Sequence, residues 1–365
     1  MSDARLPRGS DQPEVAGATN FDFLRVSPRT QRLRVIFFSL PLAPASRRKP
    51  NAEAQRSQRL AEKKQTHRTM AKLRETLRRA VASLFLLLVP VCAIAQGRVE
   101  CRAIRSEVLG RQVPYCVLLP AGYEQQKTAR FPVLYYLHGL GETEQTMLDL
   151  GGWSLYDSLR EEGSIGDFLI VVPSAGSSFF VNSRDGRVRY EDYFIREFVP
   201  FIDKTYRTRA AKAGRGLVGF SMGGYGALRL AFKYPAMFTS VSAHSAALME
   251  SLPRGLSEAS AMPRVRVLGA IFGSPIDEAY YQRNSPFTLA RNNPQITALK
   301  IYFDCGKDDR YGFHIGAQAL HERLRALKIP HEFHIHPGGH DWGYLSEHLG
   351  TSFEFHSRAF GLTGK

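Results

Sequence analysis

The chain predicts an α/β fold, a mostly parallel central sheet covered by helices on both faces. Short apolar runs such as Leu169-Ile170-Val171-Val172 lack polar alternation, as strands covered on both faces do. Between such runs lie segments of helical spacing, for example Phe194, Ile195, Phe198, Phe201 and Ile202. The two kinds of segment alternate along the chain, which is the pattern of strands joined by covering helices. With 365 residues, 44% of them hydrophobic, there is ample material for a core.

The front of the chain stands apart from this pattern. Of the formal net charge of +15, residues 1–95 hold 18 Lys and Arg against 7 Asp and Glu, whereas the remainder is almost balanced, 31 against 27. The basicity therefore belongs to the leading segment and gives no reason to expect nucleic acid on the folded body. Residues 1–69 are rich in Arg, Gln, Ser and Pro and read as disordered, or as an extension upstream of the true start. From Met70 to Ala95 the order is a basic region, an apolar run from Val81 to Val91, and Ala93-Ile94-Ala95 before Gln96. That order predicts a signal peptide over 70–95, a secreted or periplasmic mature chain from 96 to 365, and no lasting membrane insertion. The apolar run is short for a bilayer span.

In the mature region, Val113–Leu119 and Pro132–Leu137 read as the first strands. Cys101 and Cys116 flank a hairpin turning near Gly110, which allows either a cross-strand disulfide or two unpaired buried thiols. Phe168–Val172 is a further strand, and Glu191–Tyr206 an amphipathic helix. Leu217–Phe220 is a strand running into Met222–Tyr234, a helix. Phe238–Ala243, Leu299–Phe303 and Glu332–His336 complete the strands, with helices over about 316–327 and 342–360. Residues 245–297 hold five prolines and no clear strand, and are expected as an excursion over the carboxyl edge of the sheet. No internal repeats are present.

The chemistry concentrates at strand ends. Gly219-Phe220-Ser221-Met222-Gly223 joins a strand to a helix, and both glycines suit a turn too tight for flanking side chains. Such a turn lifts the serine hydroxyl clear of the sheet as a nucleophile and leaves the Met222 N–H facing a developing oxyanion. A serine needs a base, and the base an orienting acid. His340, in the loop His336-Pro337-Gly338-Gly339-His340, is the preferred base over His331, His334 and His336, which lie in or beside a strand. Asp309 is the preferred acid, Asp308 its alternate, and Asp304 is read as ending its strand. His334 and His336 share a strand face, but no carboxylate or Cys at suitable spacing completes a metal site, and neither metal nor cofactor is expected. Leu140, between Gly139 and Gly141, is the second oxyanion donor, and His138 is structural. Trp153, Phe179 and Phe180 are candidates for a substrate wall. Cys305 is left without an evident partner.

With these residues in view, the chain from about Val99 to Gly361 resembles the esterase D-like α/β-hydrolases, the group of S-formylglutathione hydrolases, feruloyl and acetyl-xylan esterases and mycolyltransferases. The likeness rests on Tyr136-Leu137-His138-Gly139-Leu140-Gly141, Tyr193–Tyr206, Gly219–Gly224, Asp304–Asp309 and Gly338–Trp342. It implies an α/β-hydrolase fold and a serine esterase acting through an acyl-enzyme, with Ser221, Asp309 and His340 as its triad; the substrate does not carry over, and a small or carbohydrate-linked ester is expected. Acyl transfer, a glutathione thioesterase and a non-catalytic binding fold are the alternatives. The acyl group, the alcohol and the oligomeric state are not implied.

Overall fold

The computed structural model describes residues 51–87, 97–252 and 263–362. The chain divides into two units, Met1–Val91 and Cys92–Lys365. In the first unit, Ala52–Leu87 forms a single helix, α1. The expectation of disorder through residue 69 is thus corrected for 52–69. Ala, Gln, Glu, Lys and Arg dominate there, all strong helix formers, and Glu75 pairs with Arg79 one turn later at 3.0 Å. A composition rich in Arg, Gln and Ser argues against a packed helix but not against a solvated one. The Ala93-Ile94-Ala95 site lies outside the described residues. No helix among the described residues is long and apolar enough to cross a membrane.

The second unit is built on an eight-stranded sheet in the order β1-β2-β4-β3-β5-β6-β7-β8. The strands are β1 Arg98–Ser106, β2 Arg111–Leu119, β3 Val133–Leu137, β4 Leu169–Pro173, β5 Arg215–Phe220, β6 Ser240–His244, β7 Lys300–Gly306 and β8 Glu332–His336. β1 and β2 form an antiparallel hairpin, and β2 runs antiparallel to β4. From β4 onward every pairing is parallel. The carboxyl ends of β3, β5, β6, β7 and β8 therefore share one edge, where the predicted chemistry lies. The hairpin register sets Cys101 opposite Cys116, and the two are joined in a disulfide.

Both faces of the sheet are covered, so β3, β4 and β6 are buried along their whole length. Because successive strand residues point to opposite faces, Tyr135 and Leu137 enter one core with Leu217 and Val241. Leu134 and Tyr136 enter the other with Ile170, Val172 and Val218. Among the helices that follow α1 are α2 Gly152–Glu161, α3 Val199–Thr205 and α4 Met222–Lys233. α3 continues a helical stretch from Tyr190 whose middle, Tyr193–Phe198, is wound as a π-helix. Pro200, which has no N–H to donate, follows that wider turn.

The excursion between β6 and β7 contains no strand among its described residues. It holds α5 Pro263–Phe272, α6 Glu278–Asn284 and α7 Pro286–Asn292. α7 packs along α4 and against α8 Phe313–Ala326. The Tyr225 hydroxyl of α4 donates to the Asn284 carbonyl at 2.9 Å. Arg229, fully buried on α4, bonds Glu191, Asn284 and the Phe180 carbonyl. The excursion is thus fastened to the side of α4. The last helix, α9 Trp342–Ala359, starts at Asp341, whose carboxylate accepts the Tyr344 N–H at 3.0 Å.

Candidate active site

Ser221 occupies the turn between β5 and α4 with φ 54° and ψ −115°. This is a left-handed, strained backbone for a residue with a side chain. Its neighbours explain how the turn closes. A Cβ on Gly219 would lie 2.2 Å from the Gly223 carbonyl oxygen, and one on Gly223 would lie 1.8 Å from that of Leu137. Both positions need glycine because backbone passes through the space a methyl would fill. The turn is held from β6 by the Ser221 N–H, which donates to the His244 carbonyl at 3.0 Å. It is also held by the Ala247 N–H, which donates to the Ser221 carbonyl at 2.9 Å.

The candidate base, His340, and the candidate acid, Asp309, arrive on the loops after β8 and β7. A Cβ on Gly306 would sit 2.4 Å from the Gly338 carbonyl oxygen, so the two loops lie directly on each other. The Lys307 N–H donates to His336 O at 2.7 Å, and the Asp308 N–H to Gly338 O at 2.9 Å. This lacing delivers Asp309 to the base. His340 Nδ1 is 2.7 Å from Asp309 Oδ2, and His340 Nε2 is 2.9 Å from Ser221 Oγ. With the carboxylate ionised, Nδ1–H donates to it and the bare Nε2 can accept a hydrogen bond from the Ser221 hydroxyl. The aromatic rings of Phe220, Tyr311 and Phe313 surround the imidazole, at 4.9, 4.6 and 5.4 Å between centroids.

Asp309 is buried. Burial opposes its charge, yet His340, the Tyr311 N–H and the Cys305 thiol together hold its pKa below the usual carboxylate value. Cys305 is free and buried, and its thiol donates to Asp309 Oδ2 at 3.5 Å. Burial and the Asp309 charge push its own pKa up. Asp308 is exposed on the loop surface.

Asp304 does not end β7 as expected but lies inside it, fully enclosed. It accepts from the Tyr302 and Tyr344 hydroxyls at 2.8 Å each and pairs with His244 Nδ1 at 2.9 Å. His244 Nε2 is in turn 2.7 Å from the Ser352 hydroxyl. This second Ser–His–Asp chain has no exposed side chain, so it braces β6 behind the elbow rather than meeting a substrate. His331 bonds His321 at 2.8 Å, while His334 and His336 stack on each other along β8. None of the three is brought to Ser221. Among the described residues no group of three or more His, Cys, Asp or Glu is arranged to hold a metal.

The loop after β3 lies against the first turn of α4, as the Gly223–Leu137 approach requires. Leu140 stands there with its side chain partly exposed. At the first turn of a helix, the Met222 N–H has no intrahelical acceptor. His138 is buried, with Nδ1 bonded to Gly139 O at 2.8 Å and Nε2 to the Ala175 N–H at 2.9 Å. Burial lowers its pKa, which suits a neutral ring tying two loops together.

The substrate-wall candidates fare differently. Phe180 is fully buried, edge-on to His138 and Tyr190. It belongs to the core, a correction to its expected place on a pocket wall. Phe179 and Phe180 have φ values of 51° and 57°, and these successive left-handed residues turn their rings inward. Phe179 packs edge-on to Tyr225 of α4. Trp153 stacks on Tyr156 in α2 and packs against the core on that face of the sheet. The rings that do reach the base, Phe220, Tyr311 and Phe313, were not singled out by the sequence. Two lie just beyond Asp309 and one beside Ser221, so proximity to the motif was the signal available.

This constellation on a mostly parallel sheet is that of the α/β-hydrolase fold. Residues 106–355 match the family described as putative esterase, and the chain belongs to that family. It is 31% identical over 245 residues to an esterase of Mycobacterium tuberculosis, an alignment covering 61% of this chain and 51% of that protein. The chain thus spans about half the length of the first curated relatives it matches. It is 25% identical over 271 residues to an acetyl esterase of Caldicellulosiruptor saccharolyticus, covering 69% of this chain and 96% of that one. Among solved structures, a ferulic acid esterase superposes with a TM-score of 0.63 at 29% identity, covering 73% of this chain and 99% of that chain. An S-formylglutathione hydrolase from Agrobacterium tumefaciens, at 19% identity and a TM-score of 0.60 over 74% of this chain and 97% of that one, shares the fold.

Proposed function

We propose that the protein is a secreted or periplasmic serine esterase that cleaves small carboxylic esters, carbohydrate-linked or aryl, through an acyl-enzyme. The observation that carries this is the continuous relay from Ser221 Oγ through His340 to Asp309, with the serine on a strained turn. Ser221 Oγ attacks the ester carbonyl while His340 takes its proton. The N–H groups of Leu140 and Met222 receive the oxyanion, and Asp309 holds the imidazole and offsets its charge. His340 then gives the proton to the leaving alcohol, and a water activated by the same imidazole releases the acid.

Relatives described as acetyl esterase and ferulic acid esterase support an ester substrate. The aromatic rings around His340 favour esters with an apolar or aryl portion. Export is supported by the basic-then-apolar order of 70–95 and by the Cys101–Cys116 disulfide, a bond that persists in oxidising compartments. The test is turnover of acetyl, butyryl and feruloyl esters beside a glutathione thioester. Turnover of at least one oxygen ester, absent in Ser221→Ala, is expected. Turnover of the thioester alone would contradict the proposal.

A further inference from the structure

The donor loop has its own clamp. Two carbonyl contacts fix the peptide that joins Gly139 to Leu140. Gly139 O accepts from His138 Nδ1 at 2.8 Å and from the Glu142 N–H at 3.2 Å. A trans peptide points its N–H opposite its C=O, so both bonds also aim the Leu140 N–H. The peptide before it is held as well, because the Gly139 N–H donates to Glu142 Oε2 at 2.8 Å. One residue therefore grips both sides of Gly139, through its backbone N–H and through its carboxylate.

The carboxylate is lodged rather than free in solvent. A Cβ on Gly139 would meet Glu142 Oε1 at 3.1 Å on one side and the Phe220 ring at 3.2 Å on the other. The Phe220 ring in turn lies against His340. Burial raises the Glu142 pKa, while the Gly139 N–H and His340 favour its charged form. Leu140 makes no hydrogen bond through its N–H among the described residues, which leaves that donor available.

We propose that Glu142 is the positioning residue of the oxyanion site, its carboxylate holding the Gly139 backbone so that the Leu140 N–H stays aimed at the nucleophile. This rests on the esterase reading for the meaning of the aimed N–H, but not for the clamp itself. Removing an oxyanion donor outright costs on the order of a hundredfold or more in kcat, and loosening its aim costs less.

The test compares Glu142→Ala with Glu142→Gln in the full chain, with circular dichroism to confirm folding. Glu142→Ala should lower kcat for a p-nitrophenyl ester by about 30-fold while KM changes by less than about threefold, the signature of a transition-state contact. Glu142→Gln keeps an oxygen acceptor for the Gly139 N–H and should recover most of the loss. Hydrogen exchange over 138–142 should quicken by about tenfold or more in the Ala variant and stay near wild type in the Gln variant. Equal losses in both variants, or unchanged exchange in Glu142→Ala, would overturn the proposal. If wild type turns over no ester, the esterase reading fails, while exchange still decides whether Glu142 holds the loop.

Discussion

Replacing Asp309 by Asn removes the charge from the acid while nearly preserving its shape. In the structure Asp309 Oδ2 receives His340 Nδ1–H at 2.7 Å, and Oδ1 receives the Tyr311 N–H at 2.8 Å. An Asn oxygen can satisfy only one of these, and the Tyr311 N–H is a fixed donor that must have an acceptor. The amide nitrogen is then turned toward His340, where it donates to Nδ1 and drives the ring proton to Nε2. That is the wrong tautomer for taking a proton from Ser221. Such a swap costs about 10⁴-fold in kcat, or about 5 kcal/mol of barrier. Asp308→Asn, on an exposed side chain one residue away, should change kcat by less than about twofold, as surface substitutions generally do. The assay is steady-state hydrolysis of a p-nitrophenyl ester by both variants, with thermal melts to confirm folding. A larger loss from Asp308→Asn, or Asp309→Asn within about tenfold of wild type, would refute the assignment.

The Cys101–Cys116 bridge closes a loop with a sequence separation of 15, and a loop of that size is worth about 3 kcal/mol through the unfolded chain. The double Ser variant should therefore unfold at lower denaturant concentration, and reductant should shift wild type in the same direction. Glu191 should make folding acid-sensitive. Although burial opposes its charge, Arg229, Lys233 and Tyr234 bring its pKa down from 4.5 to about 2. Its folded pKa is depressed, so the stabilisation is fully present above about pH 4.5 and is lost as pH falls toward 2. It amounts to about 3 kcal/mol. Urea melts of wild type and Glu191→Gln across that window check the sign. A wild-type stability that rose on acidification would contradict it.

The legible part of the fold was the part with one-dimensional cues. Uninterrupted apolar runs such as Leu169–Val172 marked the buried strands, and the glycines around Ser221 marked the elbow because only backbone fits there. Gly338 and Gly339 likewise marked the loop that carries His340. What escaped depends on the third dimension. Nothing local distinguishes Phe180, turned into the core by its left-handed backbone, from an aromatic on a pocket wall. Asp304 seemed a strand terminus because its partners, His244, Tyr302, Tyr344 and, through His244, Ser352, are mostly dispersed along the chain. The disulfide stayed open until register set Cys101 opposite Cys116. Glu142 sits three residues past Gly139 and escaped because its use lies in a turn, not in a motif. The helix over 52–69 was missed because a solvated helix has no apolar stripe to show.

The central claim is that Ser221 is a nucleophile activated by its fold. It is tested most directly by treating the folded protein with an aryl phosphonate that traps serine esterases and locating the adduct by peptide mass spectrometry. One adduct per chain is expected, on the peptide containing Ser221, and none when the chain is denatured before labelling or in Ser221→Ala and His340→Ala. An adduct on another residue, or equal labelling of native and denatured chain, would contradict it.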